Sequence, residues 1–272
     1  MESRTFKDRL LPHHHAAASV WGQGGKAYDD VSYGLSDALA HAAQRLSARP
    51  EENVLDVATG TGWSARNVAR SGARVQAVDI SSELLAAADE LSAHVRPAIQ
   101  FELGDAERLP YADGRFDAVI STFGVIFAQN QRQAARELAR VIRKGGRLSL
   151  AAWPPDGAVQ KFLAVIAKHS GAPPAEVSPL AWGDPRHAAE LLGQEFELNF
   201  ERGLNNAYHP DPDHIWEKYA HGFGPMRQLI SSLPAEGLAA LRTDVDAYHR
   251  AFATAAGLHV KREYVIILGT RR

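Results

Sequence analysis

The chain has 272 residues, 45% apolar and 23% charged, with 32 acidic against 30 basic residues for a net charge of −2. This is ordinary globular composition, long enough for one substantial core and a subdomain, and so even a balance gives no general pull towards nucleic acid or an anionic membrane. There is no cysteine, which excludes disulfides and thiolate chemistry. No apolar run approaches the roughly 18 residues of a membrane span or resembles the core of a signal peptide, so a cytoplasmic protein is expected.

In chain order, residues 1 to about 20 suggest a mobile arm or a short first helix. His13-His14-His15 within it reads as a solvated loop, with no metal expected. Trp21 to Asp30 is a glycine-rich aromatic stretch that could fold over a ligand or lie on the surface. A helix is expected over Leu35–Ala48, ended by Pro50. Val54–Val57 suits a buried parallel strand, and the turn Ala58-Thr59-Gly60-Thr61-Gly62 leads into helical spacing over Ser64–Arg70. A glycine turn at a helix start aims backbone N–H groups at a bound anion.

The pattern then repeats. Arg74–Asp79 is a second strand, and Ser81 or Ser82 can cap the helix after it. Ile99–Leu103 is a third strand, Phe116–Ser121 a fourth and Arg147–Trp153 a fifth. The helix before the fifth carries Ala134, Leu138, Val141 and Ile142 and is closed by Gly145-Gly146. Such alternation argues for a parallel sheet with helices on both faces. Beyond Pro154-Pro155 the rhythm changes. A helix is expected over Ala158–Lys168, a proline-bearing loop up to Pro185, and a helix near Ala188–Leu192. Strands follow at 196–200 and 264–268, with helices over 212–256 between them.

Ligands of open parallel sheets sit at the carboxyl ends of the strands. Asp56, Asp79, Asp105 and Ser121 would meet there around one crevice, and Asp79 lies where an acid holds ribose hydroxyls. A nicotinamide-dependent oxidoreductase is one candidate, but its turn calls for a third glycine, and here Trp63-Ser64-Ala65 stands in that place. A smaller anion such as an amino-acid carboxylate suits the turn better.

Leu55–Gly62 resembles the first motif of the class I S-adenosylmethionine-dependent methyltransferases. Val78–Ser81, Gly104–Pro110, Phe116–Val119 and Leu138–Gly146 resemble that family's later motifs in the same order. The likeness covers roughly residues 50 to 153 and is nearest to the ubiquinone/menaquinone-biosynthesis-like branch. It implies an α/β, Rossmann-like doubly wound sheet of seven strands, the last antiparallel. Residues 1–49 would be an N-terminal arm and helices covering the cofactor, and 50–272 the methyltransferase domain with a helical lid insertion at about 212–256. The implied cofactor is S-adenosyl-L-methionine. The turn through Asp56, Ala58, Thr59, Gly60 and Gly62 would hold its methionine part. Asp79 would take the ribose hydroxyls with Ile80 against the adenine, Gly104, Asp105 and Ala106 would hold the adenine amino edge, and Thr122 and Phe123 would line the methyl-transfer side. Ala58 stands where the family usually has a glycine, and only slight adjustment is expected there.

Methyl transfer draws chiefly on orientation, with a base where the acceptor is a hydroxyl or carbon acid. His209, His214 and Tyr28 are candidates for that base, though a polar loop is the plainer reading of the two histidines and anchoring of the arm an equal reading of Tyr28, and His221 is weaker. Trp21, Tyr28, Phe127 and Tyr219 are candidate acceptor-binding residues; Phe123, Val125, Ile126, Trp216, Phe223 and Met226 could add apolar wall or simply pack the core. After the fourth strand Ser121-Thr122-Phe123-Gly124 replaces the Asn/Asp-Pro-Pro-Tyr type motif of many N-methyltransferases, which weakens amino-group methylation. No basic, aromatic-studded strip suits a nucleic acid. The expected acceptor is a small apolar or aromatic molecule methylated on oxygen or carbon. A nicotinamide-dependent oxidoreductase and a non-catalytic S-adenosylmethionine-binding protein stay open beside it.

Overall fold

The computed structural model describes residues 9–171 and 176–272. The start of the expected arm and part of the proline-bearing loop lie outside the described residues. The chain begins with a 3-10 turn, Pro12–His14, followed by α1 (His15–Gly22), α2 (Tyr28–Tyr33) and α3 (Ser36–Leu46). It then alternates through β1 (Asn53–Val57), α4 (Trp63–Ala69), β2 (Arg74–Asp79), α5 (Ser82–Ser92), β3 (Gln100–Leu103), β4 (Phe116–Thr122), α6 (Gln131–Val141) and β5 (Ile142–Ala152). The second half adds α7 (Ala158–Ser170), α8 (Pro185–Leu192), β6 (Phe196–His209), α9 (Pro212–Gly222), α10 (Gly224–Ser232), α11 (Ala235–Arg250), β7 (Ala253–Thr254) and β8 (Gly257–Arg271).

The strands form one sheet in the order β3-β2-β1-β4-β5-β8-β6, with the two-residue β7 paired to β8 as an eighth member. β1 to β5 run parallel, and β8 is antiparallel to both β5 and β6. The expected seven strands with an antiparallel last member are present, and β7 is added to them. Val54, Leu55, Val57, Val119 and Ile120 are fully buried, as a strand covered on both faces requires. Burying each such side chain contributes about 1.5–3 kcal/mol. α3 lies across this core, and β5 holds it through Ser149 Oγ, which donates to Ala42 O at 2.9 Å, and Arg147 Nε, which donates to Leu46 O at 3.0 Å.

Three local expectations change. α3 ends earlier, where Ser47 turns left-handed at φ +52°, ahead of Pro50. Gly145-Gly146 caps no helix: Ile142 already pairs with Phe116, and the two glycines carry β5 through an irregularity in that pairing. A Cβ on Gly146 would sit 2.6 Å from Ile142 Cγ2 and 2.9 Å from Asp117 O, so only glycine fits. The late strands are far longer than expected, pairing from Phe196–Arg271 to His209–Leu258. Their inward positions include Asn205 and Arg262, both buried, so polar residues face inward and hide the apolar alternation.

A second, smaller core unites α7 with the helices after β6. Phe162, Ile215, Tyr219, Met226, Leu241, Val245 and Val260 pack together there. Residues 251–256 leave the helices and turn into the β7–β8 hairpin.

Candidate functional site

The turn after β1 is built from left-handed residues: Ala58 at φ +56°, Gly60 at +57° and Gly62 at +85°. Gly60 and Gly62 adopt this freely; Ala58 does so at a cost of about 1–2 kcal/mol. A Cβ on Gly60 would lie 3.2 Å from the Tyr28 ring. The turn therefore meets the N-terminal arm closely enough that a side chain at Gly60 would press on the Tyr28 ring. Arg66 ties the two together, donating to Thr61 O at 2.6 Å and to Asp29 Oδ1 at 3.0 Å.

Asp79, at the end of β2, is buried beside the turn. Its Oδ2 accepts the Gly60 N–H at 2.8 Å and its Oδ1 the Ser81 N–H at 2.9 Å. Burial pushes its carboxyl above the usual range, with these N–H groups opposing. Asp56 lies behind the turn, accepting the Thr59 hydroxyl at 2.7 Å. Burial raises its carboxyl to about 7 against that bond, and the nearby Asp79 charge adds to the rise.

Asp105, after β3, is fully buried. Its Oδ1 accepts the Glu107 N–H at 2.9 Å, while Oδ2 accepts the Leu11 N–H at 2.9 Å and meets His14 Nδ1 at 2.7 Å. Burial opposes its charge, but these donors prevail and hold its carboxyl below the usual range. The same contact, with Glu107 nearby, overcomes burial to raise the His14 imidazole. His13 and His14 are thus no solvated loop. His14 is buried against Asp105, and His13 Nε2 reaches Glu107 Oε2 at 3.0 Å.

These pieces surround one cleft of about 990 Å³, its open mouth included. Ala58, Thr59 and Gly60 form one wall, with Asp79 and Ile80, then Gly104, Asp105 and Ala106, along its length. Thr122 and Phe123 line its far part. Asp56 and Gly62 shape the turn from behind and do not line the cleft. Trp21, Tyr28 and Phe127 line it too. Trp21 packs on Phe127 at 5.1 Å and on Phe223 at 5.7 Å between ring centroids, which joins the arm to α10's start.

Phe123, like Ala58, is a left-handed non-glycine residue of the cleft wall, at φ +57°. It is held there by a stack on Trp153, with centroids 3.8 Å apart and planes 9° from parallel. Backbone strain of this kind at a cleft wall persists because the surroundings enforce it. Next to it Ser64 Oγ and Thr122 Oγ1 lie 2.7 Å apart.

The base candidates from the second half are not brought to the cleft. His209 ends β6 and His214 sits in α9; both face a separate hollow beyond α2, with Lys218 and His221. His209 is buried with neither ring nitrogen partnered, and burial, then Lys218 and Arg262, lower its pKa to about 3. Tyr219 is buried in the second core and accepts from Arg262 Nη2 at 2.8 Å. Trp216 and Met226 belong to that core too, and Ile126 to the main one. Conversely, His14, Ser32, Leu35, Leu39 and Ser64 line the cleft without having been singled out. Leu35 and Leu39 carried a signal, since Leu39 lies on the apolar stripe of α3 and Leu35 caps its start in phase with it, but a stripe does not tell core from cleft wall.

Residues 55–150 match the Methyltransferase domain family. The demethylmenaquinone methyltransferase of Beutenbergia cavernae is 35% identical over 198 residues, 65% of this chain and 81% of that protein. The chain belongs to the class I S-adenosylmethionine-dependent methyltransferases. An uncharacterized Mycobacterium tuberculosis protein is similar over almost the whole length, 29% identical across 98% of this chain and 97% of that protein. Among solved structures, Haemonchus contortus phosphoethanolamine N-methyltransferase 2, in complex with phosphomonomethylethanolamine and S-adenosylhomocysteine, has a TM-score of 0.55 at 15% identity, over 86% of this chain and 52% of that chain. The [4+2]-cyclase SpnF has a TM-score of 0.55 at 20% identity, over 87% of this chain and 81% of that one. Both likenesses concern the fold alone.

The cleft fits the cofactor of this methyltransferase family, S-adenosyl-L-methionine. The Asp79 oxygens accept the Gly60 and Ser81 N–H groups, the Ile80 N–H also favours the charged form, and acceptor capacity is left over for a ribose hydroxyl. Ile80 and Ala106 offer apolar surface to a flat base, and the Gly60 turn leaves bare backbone for the amino-acid end. The poorer fit is at Asp105, whose two oxygens already hold three protein donors. No helix among the described residues is long and apolar enough to cross a membrane. The family leaves no place for the nicotinamide-dependent oxidoreductase considered from the sequence.

Proposed function

We propose that this methyltransferase methylates a small aromatic acceptor on oxygen or carbon, and that the acceptor supplies its own nucleophile. S-adenosyl-L-methionine would provide the electrophilic methyl group. Asp79 would hold the ribose, and Ile80 and Ala106 would face the adenine. The turn from Ala58 to Gly60 would hold the methionine end, so that Thr122 and Phe123 flank the transferable methyl. The N-terminal arm, through Trp21 and Tyr28, would cover this assembly, and the helices α9 to α11 would act as a lid braced on the arm.

One observation carries the choice of acceptor: among the described residues the cleft holds no side chain suited to act as a base. Its titratable lining groups are His14, Tyr28, Asp79 and Asp105. His14 and Asp105 are bound to each other, and Asp79 holds the turn. Tyr28 stays a protonated phenol, raised far above its usual range by burial and by Asp79. With no base in reach, an acceptor that ionises by itself, such as a phenol, an enol or a reduced quinone, is favoured over a simple alcohol. Trp21, Leu35, Leu39 and Phe127 give such a ring apolar walls. The demethylmenaquinone methyltransferases among the relatives make a reduced quinone one option within that class.

The test is a panel of reduced naphthoquinones, catechols and simple alcohols incubated with the protein and methyl-labelled S-adenosylmethionine. Label should enter the ionisable aromatic acceptors only. Tight cofactor binding with no transfer to any of them would favour a non-catalytic binding protein instead.

A further inference from the structure

We propose that the start of the chain builds a divalent transition-metal site of the two-histidine, one-carboxylate kind. His13 Nε2, His14 Nε2 and the Glu107 carboxylate would be its ligands and zinc its occupant. The proposal stands independently of the acceptor and of methyl transfer.

The geometry comes first. His13 and His14 lie in the 3-10 turn Pro12–His14, whose rings point to the same carboxylate. His13 Nε2 is 3.0 Å from Glu107 Oε2, and His14 Nε2 is 3.2 Å from Glu107 Oε1. The three ligand atoms lie within 4.8 Å of one another. Two bonds of about 2.1 Å at a tetrahedral angle place donor atoms about 3.4 Å apart. The two histidine–carboxylate distances, one to each Glu107 oxygen, are already near that spacing, so closing the site requires the two rings to draw together around the carboxylate.

The surroundings are those of a ligand set. His14 presents its other nitrogen, Nδ1, to Asp105 Oδ2 at 2.7 Å. A carboxylate on the far nitrogen fixes the ring and its tautomer, leaves Nε2 for a metal, and strengthens the ligand. Glu107 is aimed in turn by the Asn130 N–H, at 2.7 Å from Oε1. The histidine turn is fixed without any ion, since Leu11 N–H donates to Asp105 and Gln129 Nε2 to His13 O. The turn is therefore held in place before any ion binds, and loss of the site need not unfold the arm. His13 is partly exposed, with 42% of its side chain accessible, so an ion has an entry path and can keep a water as fourth ligand. Two imidazoles and one carboxylate suit zinc and its neighbours better than magnesium or calcium, which take oxygen ligands. Because His14 and Asp105 line the cofactor cleft, an ion here would fasten the arm across the end of the cleft beyond Ile80.

The experiment is calorimetric titration of chelator-treated full-length protein with zinc, repeated with His13→Asn and Glu107→Gln, and a parallel titration with cobalt(II) followed by its visible spectrum. One zinc equivalent should bind the wild type. His13→Asn should weaken that site at least tenfold, and Asp105→Asn, acting through His14, by roughly 10–100-fold. Cobalt should give the intense band of a tetrahedral site in the wild type and lose it in His13→Asn. The His13 side chain is exposed enough for its variant to fold even where Glu107→Gln does not. Equal zinc affinity in wild type and His13→Asn, no stoichiometric binding, or only the weak spectrum of six-coordinate cobalt would each overturn the proposal.

Discussion

The Asp79 carboxylate takes the N–H of Gly60 at 2.8 Å, and this bond joins the end of β2 to the turn after β1. One buried acid thus ties down the turn and lines the cleft. Asp79→Ala should weaken S-adenosylhomocysteine binding about 10–150-fold, the loss of one hydrogen bond to a charged group at about 1.5–3 kcal/mol. Thermal unfolding should fall as well, because the Gly60 and Ser81 N–H groups lose their acceptor. Unchanged affinity by calorimetry would refute the ribose assignment.

Ala58 and Gly124 form a second such pair. A Cβ on Gly124 would lie 2.5 Å from Ala58 Cβ and 2.7 Å from Ala58 O. Gly124→Ala should therefore destabilise by several kcal/mol, within the range of severe overpacking. Ala58→Gly, which relieves a left-handed alanine, should stabilise by about 0.5–1 kcal/mol after its unfolded-state entropy is counted. In the double variant the rescue should be partial, because the Ala58 carbonyl remains in the way; denaturant midpoints for the four proteins read this directly.

Tyr28 separates positioning from proton transfer. If its phenol only covers the cofactor, Tyr28→Phe should keep kcat within a few-fold with an unchanged pH profile, while Tyr28→Ala should raise the KM for cofactor. A loss of 10²–10⁴ in kcat for Tyr28→Phe would make it a general base and overturn the self-ionising acceptor.

His209 predicts an acid limb in stability. Its imidazole titrates near 6.5 in the unfolded chain and at about 3 when folded among Lys218, Arg262, His214 and His249. Above pH 6.5 both states are neutral there. As pH falls below 6.5 the unfolded chain takes up a proton that the folded chain refuses, so stability drops by about 1.4 kcal/mol per pH unit until about pH 3. His249, lowered by burial to about 4, acts the same way. His209→Leu should flatten part of this limb and be neutral or stabilising at pH 8, since it removes two unpartnered nitrogens. Urea midpoints at pH 5 and pH 8 check both statements.

The core of the fold was legible because buried parallel strands and a glycine turn leave local signals: Val54–Gly62, Asp79 and the Ser81 cap all stand where the residues place them. The long β6–β8 ladder was not, because Asn205 and Arg262 face inward where alternation calls for apolar residues. Part of the cleft was hidden for a different reason. His14, Ser32 and Leu39 reach it by tertiary packing of the arm and α3, and no local pattern distinguishes a wall from a core. His209 misled for want of strand length: read as loop, it neared the open end of the sheet, whereas as the last residue of β6 it is drawn behind α2.

The most direct measurement is a crystal structure of the protein with S-adenosylhomocysteine. The account predicts the nucleoside in the cleft, with ribose hydroxyls within hydrogen-bond distance of Asp79, adenine between Ile80 and Ala106, and sulfur facing Thr122 and Phe123. A ligand bound in the hollow beside His209, or one whose ribose turns away from Asp79, would contradict it.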